Sequence, residues 1–102
     1  MRSIVVSMQN MLLSEAVART LAETGEFRVE QVLPGKTSDT FSLCQAMQAD
    51  ILLMEVSRLP AYTLENRLNL IACVRKVMPS CKFVLLCDEN GDPELARRVM
   101  IV

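Results

Sequence analysis

Chemistry at neutral pH in this chain has to come from carboxylates and thiols, because none of its 102 residues is histidine. That absence removes Ser–His and Cys–His nucleophile pairs along with the usual general base. The four cysteines, Cys44, Cys73, Cys81 and Cys87, are separated by 29, 8 and 6 positions and form no CxxC pair. Zinc would need all four thiolates to converge on one ion. The spacing instead favours small buried or half-buried side chains in a reducing compartment, with no disulfide. The other candidates are groups placed where predicted strands end: Ser7 and Met8, Glu55 with Ser57 behind it, and Cys87 followed by Asp88. Asp88, Glu89 and Asp92 with Glu55 supply enough oxygen for an unorthodox cation site, but acids just ahead of a helix more often cap it.

The elements that must position these groups can be read from hydrophobic period. Ile4 to Val6 is a short β-branched run, and Met11 to Thr24 carries Leu13, Ala16, Val17 and Leu21 at helical spacing until Gly25 breaks the pattern. Phe27, Val29, Gln31 and Leu33 then occupy one face of a second strand, and Arg28, Glu30 and Val32 the other. That mixture describes an edge. After Pro34 and Gly35, Ser38 or Asp39 can cap a short helix with Phe41, Cys44 and Met47 inward. Ile51 to Met54 is apolar on both faces, as a strand covered on each side should be, and ends at Glu55. A third helix, Tyr62 to Val77, carries the stripe Leu64, Leu68, Ile71 and Val74, with Glu65, Arg67, Arg75 and Lys76 outward. Phe83 to Leu86 repeats the doubly buried pattern. A polar loop then leads to Asp92, Pro93 and Glu94, a helix start with Leu95 and Val99 facing inward.

Bulk properties narrow the class. Eleven basic against 12 acidic residues give a net charge of −1, with 51% hydrophobic and 23% charged residues. Such a chain makes one compact domain with no general surface for gripping phosphates, so nucleic acid is not expected to bind this part directly. The longest apolar runs, Leu70 to Val74 and Phe83 to Cys87, reach five residues, whereas a membrane span needs about 20. The start, MRSIVVSMQN, lacks the apolar core of a secretory signal. A cytoplasmic location without membrane attachment is expected.

Strand and helix alternate four times, which predicts an α/β fold: a doubly wound parallel sheet in the order 2-1-3-4, helices on both faces. In such a sheet the working site lies beyond the carboxyl ends of the strands, where the order reverses between the first and third. That rule selects Ser7, Met8, Glu55 and Cys87.

In order, spacing and hydrophobic pattern, the segments RSIVVSMQNMLLSEAVARTLAETGEFRVEQV, ADILLMEVSRLP and PSCKFVLLCDENGDPELARRVM resemble the receiver domain of bacterial two-component response regulators. The likeness covers essentially the whole chain and is strongest to receivers joined to LuxR-type DNA-binding domains, whose fold is flavodoxin-like. It implies that the two acids holding magnesium after the first strand correspond to Ser7 and Met8. The phosphoaccepting aspartate corresponds to Glu55, and the hydroxyl that senses the phosphoryl group corresponds to Cys87. The lysine after the fifth strand has no counterpart. Pro60 lies five residues after Glu55, one more than the receiver pattern gives its proline.

Those replacements point one way. Magnesium is usually held by carboxylates together with phosphate oxygens, and Ser7 and Met8 supply neither charge. Glu55 is one methylene longer than aspartate and resembles a fixed negative charge more than an acceptor, while Met8 can close the old rim by packing. The resemblance implies an atypical receiver, or pseudo-receiver, serving signal transduction and transcription regulation through protein contacts. It would use no metal or other cofactor and would not be an enzyme. It also implies that the fifth strand and helix are lacking and that the chain is an N-terminal fragment of a longer regulator, contacting DNA only through a domain beyond residue 102. The fourth strand would then stand as an exposed apolar edge through which two copies pair or exchange a segment. Two alternatives stay open: a genuine phosphoacceptor with an unorthodox site, and a small flavodoxin-like cofactor-binding protein. The second lacks a glycine-rich phosphate cradle in SMQN or EVSRLP.

Overall fold

Residues 1–32, 39–87 and 98–102 are described by the structure, a computed structural model. Four strands, β1 (Arg2–Ser7), β2 (Phe27–Val32), β3 (Ile51–Val56) and β4 (Lys82–Cys87), run parallel in the order β2-β1-β3-β4. Helices α1 (Met11–Glu23), α2 (Thr40–Met47) and α3 (Leu64–Val77) connect them, with a 3-10 turn at Pro60–Tyr62 ahead of α3. The architecture is the flavodoxin-like α/β arrangement that the alternating pattern predicts.

The sheet separates two apolar layers. On one side Val5, Leu52, Met54, Phe83 and Leu85 are fully buried with Cys44 of α2 and Ile71 and Val74 of α3. Each such side chain contributes roughly 1.5–3 kcal/mol by leaving water. On the other side Ile4, Val6 and Met8 pack with Val17 and Leu21 of α1 and with half-buried Ile51, Leu53 and Leu86. Strand β3 thus presents apolar residues to both layers, as its sequence requires, whereas β2 pairs only with β1 and alternates half-buried with exposed positions until Val32, which is buried.

Local chemistry sets the helix ends. The Asn10 side chain accepts from the Leu13 N–H at 3.1 Å and caps α1, and Thr63 does the same for Asn66 at 3.3 Å to start α3. Gly25 follows α1 with φ +74°, a left-handed conformation that explains glycine at the break. Asp39 precedes α2 without a side-chain cap bond; the alternative cap Ser38 lies outside the described residues.

Three expectations need correction. In α1 the buried residues are Ser14 and Ala18, while Leu13 is 43% exposed and Ala16 is exposed. In α3 the inward line is Arg67, Ile71 and Val74, and Leu64 and Leu68 lie outward. That helix is turned about one residue from the leucine stripe, and Arg67 is inside rather than outside. At the end of the chain Val99 belongs to a strand, β5 (Arg98–Ile101), not to a helix. β5 pairs antiparallel with β4, from Val84↔Ile101 to Cys87↔Arg98, and the Val102 N–H donates to the Phe83 carbonyl at 2.9 Å. The sheet therefore has five strands, and the outer edge of β4 is covered rather than exposed. The β-branched run Val99 to Val102, broken only by Met100, fits a strand better than the period of one helical contact suggested. Leu95 and the helix start at Asp92 lie outside the described residues.

Candidate functional site

The carboxyl ends of β1 and β3 lie side by side, with Ser7 opposite Met54. Because side chains alternate across a strand, the groups at these ends point to different layers. Met8 is 1% exposed and packs with Ile4 and Val6 on the α1 side. Ser7, with no exposed surface, faces the side of α3.

Glu55 is 7% exposed, and its carboxylate is engaged from the β1–α1 connection. Oε1 accepts the Gln9 N–H at 2.7 Å and the Asn10 N–H at 3.3 Å. These amides precede α1, so the acid satisfies donors that have no intrahelical partner and sits where the positive end of the helix favours it. An oxygen already accepting two backbone bonds is a poor nucleophile toward a phosphoryl donor. Glu55 here acts as a structural anchor between β3 and the entry to α1.

The central side chain of the site is one that the sequence reading placed in solvent. Arg67 is 1% exposed. Its Nε donates to the Glu55 carbonyl at 2.9 Å, Nη1 to Ser7 Oγ at 3.1 Å and Nη2 to the Ser7 carbonyl at 2.9 Å. The Tyr62 ring lies beneath the guanidinium, 4.5 Å from its centroid, a distance at which the ring face attracts a cation. Burial pulls the Arg67 pKa down to about 10, opposed by Tyr62 and by the negative charge of Glu55, so the group stays cationic at neutral pH. Burial raises the Tyr62 phenol above its usual value, and the Arg67 charge partly opposes that rise.

The β3–α3 connection holds this pair in place. The Ser57 N–H donates to the Tyr62 carbonyl at 2.9 Å, the Tyr62 N–H to the Leu59 carbonyl at 2.8 Å, and the Leu59 N–H to Ser57 Oγ at 3.3 Å. The Asn66 side-chain amide donates to the Pro60 carbonyl. The connection thus enters a 3-10 turn at Pro60 whose last residue, Tyr62, supplies the ring under Arg67. Cys87 ends β4 opposite Val56 and is half-buried against the α2–α3 layer. Of the predicted positions, Ser7 and Glu55 meet through Arg67, whereas Met8 joins the apolar layer and Cys87 lies two strands from β1.

The sequence did carry a signal for Arg67. Residues 67, 71 and 74 follow helical spacing as well as 64, 68 and 71 do, and Ile71 belongs to both lines. What decided between them is the pair of strand-end carbonyls, which a leucine cannot satisfy.

Elsewhere Cys44 and Cys81 are buried and Cys73, expected to be at least half-buried, is exposed. Burial pushes the Cys44 thiol up to about 12, with Cys81 adding to the rise. The Cys81 thiol is also raised, by burial first and then by Asp50. Among the described residues no group of three or more cysteines and acids could hold a metal ion. No helix among them is long and apolar enough to cross a membrane. Asp88, Glu89 and Asp92, the other members of the conjectured cation site, lie outside the described residues. Comparison with models of known protein families finds no match to this chain, and comparison with curated proteins finds none either.

Proposed function

We propose that this chain is a pseudo-receiver: a regulatory domain of the response-regulator type that works through protein contacts and is not switched by aspartate phosphorylation. The observation that carries the reading is the fate of Glu55. It occupies the strand end where a doubly wound sheet keeps its working group, yet its carboxylate oxygen Oε1 is bound to both the Gln9 and Asn10 amides. Magnesium does not fit here, because Ser7 and Met8 offer no carboxylate and a cationic side chain already binds the Ser7 oxygens. On this reading the site keeps the position of a phosphorylation switch without the groups that would run one. On this reading the domain regulates transcription in the cytoplasm, with DNA contacted by a separate domain.

An amide-shift NMR titration with magnesium and beryllium fluoride, a mimic of an aspartyl phosphate, tests the proposal. No change at Ser7, Glu55 or Cys87 is expected. Saturable shifts clustered at those residues would show that the site still senses phosphoryl groups and would remove the pseudo-receiver reading.

A further inference from the structure

The crevice between β1 and β3 on the α3 side is lined by oxygen. The Ser7 carbonyl, Ser7 Oγ and the Glu55 carbonyl all point at one positive group and lie 2.9, 3.1 and 2.9 Å from its nitrogens. Strand-end carbonyls in a parallel sheet have no further strand residue to bond, and burying them unpaired is costly. The protein fills this ring of acceptors with its own cation.

Shape selects which cation suits it. The acceptors come from two adjacent strands and engage Nε, Nη1 and Nη2 together, so they match a planar fork of donors better than a compact ammonium. The Tyr62 ring covers one face of that plane at 4.5 Å. A magnesium ion would instead demand octahedral ligands, usually with a carboxylate among them, and none of these three oxygens belongs to a carboxylate. The nearby negative charge of Glu55 supports the buried cation without being its direct partner, because Oε1 is occupied by Gln9 and Asn10.

We propose that this crevice is a guanidinium-binding site with a tethered occupant: Arg67 fills it permanently, and once its side chain is removed the site accepts a free guanidinium ion. The inference concerns the chemistry of the crevice alone and does not rest on the signalling proposal. It assigns Arg67 a positioning role, fastening the carboxyl ends of β1 and β3 to α3.

Thermal unfolding of Arg67→Ala with millimolar methylguanidinium, methylammonium or magnesium tests it. The variant melts below the wild type. Methylguanidinium should recover about 4 °C or more, the scale on which an occupied site stabilises a domain of this size. Methylammonium and magnesium should leave the melting temperature where it was, and none of the three should shift the wild type. A folded Arg67→Ala that methylguanidinium does not stabilise overturns the proposal, as does equal stabilisation by methylammonium. If Arg67→Ala does not fold, the wild type decides. Its Arg67 Nε–H should give a resolved NMR resonance that exchanges slowly with water, and fast exchange there overturns the proposal. Neither failure alters the result expected from beryllium fluoride.

Discussion

Arg67 Nη2 donates to the carbonyl oxygen of Ser7 at 2.9 Å, although the two residues are 60 positions apart in the chain. This bond, with that from Nε to the Glu55 carbonyl, joins two neighbouring strands to the helix that follows the second. The carboxyl ends of the two strands are thereby tied to α3 through one side chain. Removing this side chain leaves buried oxygens without donors, which is why it should dominate the stability of the carboxyl end of the sheet.

Replacing Arg67 by methionine keeps much of its volume but strands the Ser7 and Glu55 carbonyls. Urea unfolding should show a loss of about 1–3 kcal/mol for each carbonyl left without a donor. Arg67→Lys keeps the charge but not the fork, and should recover only part of that loss. If both variants unfold at the wild-type midpoint, the buried bonds contribute nothing net and the structural role assigned to Arg67 is wrong.

Glu55→Asp places the residue type of a phosphoacceptor at the strand end. It should nevertheless remain unmodified by acetyl phosphate with magnesium when intact mass is measured, since Ser7 and Met8 bring no metal-binding charge. The shorter side chain should also reach the Gln9 and Asn10 amides less well, costing about 1 kcal/mol. Stoichiometric phosphorylation of this variant would mean that the site needs only the extra methylene of Glu55 removed, and that Arg67 does not block it.

How much of this was legible depended on which physical signal each residue carried. Ile51 to Met54 and Phe83 to Leu86 are apolar on both faces, and a doubly covered parallel strand is the economical reading of such a run. The alternation around them then placed Ser7 and Glu55 at adjoining strand ends. Arg67 was misread because a charged residue on a helix is ordinarily solvated. The acceptors that justify its burial come from residues 12 and 60 positions away, beyond any local pattern. Leu64 and Leu68 were misread for the complementary reason: an apolar stripe fixes a helix more securely than it fixes which way the helix faces. Val99 was misread because the helix pattern read from Asp92, Pro93 and Glu94 was carried on to residue 99 by one apolar spacing alone.

The buried thiols predict an alkaline weakness. An unfolded thiol loses its proton near 9, whereas folded Cys44 keeps its proton up to about 12 because burial penalises the thiolate. The unfolded chain therefore binds fewer protons above pH 9. The stability linked to Cys44 is complete below that pH and is lost as pH rises toward 12. The slope approaches about 1.4 kcal/mol per pH unit for each proton difference. Cys81, raised in the same direction, adds to it. Urea midpoints between about pH 8 and 10 should fall less steeply in Cys44→Ala than in the wild type. Parallel slopes would show that Cys44 titrates alike in both states.

Strand β5 makes the last prediction, because it occupies the edge where β4 had been expected to pair with another chain. Four register pairs, from Val84↔Ile101 to Cys87↔Arg98, and the Val102–Phe83 backbone bond join it to β4. Deleting residues 98–102 removes these partners and leaves an apolar strand with a row of unpaired backbone groups, a template for intermolecular pairing. The shortened chain should therefore show a larger, concentration-dependent mass by light scattering than the full chain under the same conditions. A charged residue on β4 tests the cause: Val84→Lys in the shortened chain should reduce that association, since charged side chains discourage edge pairing. If the shortened chain keeps the mass behaviour of the full one at every concentration, β5 is not what protects the edge of β4.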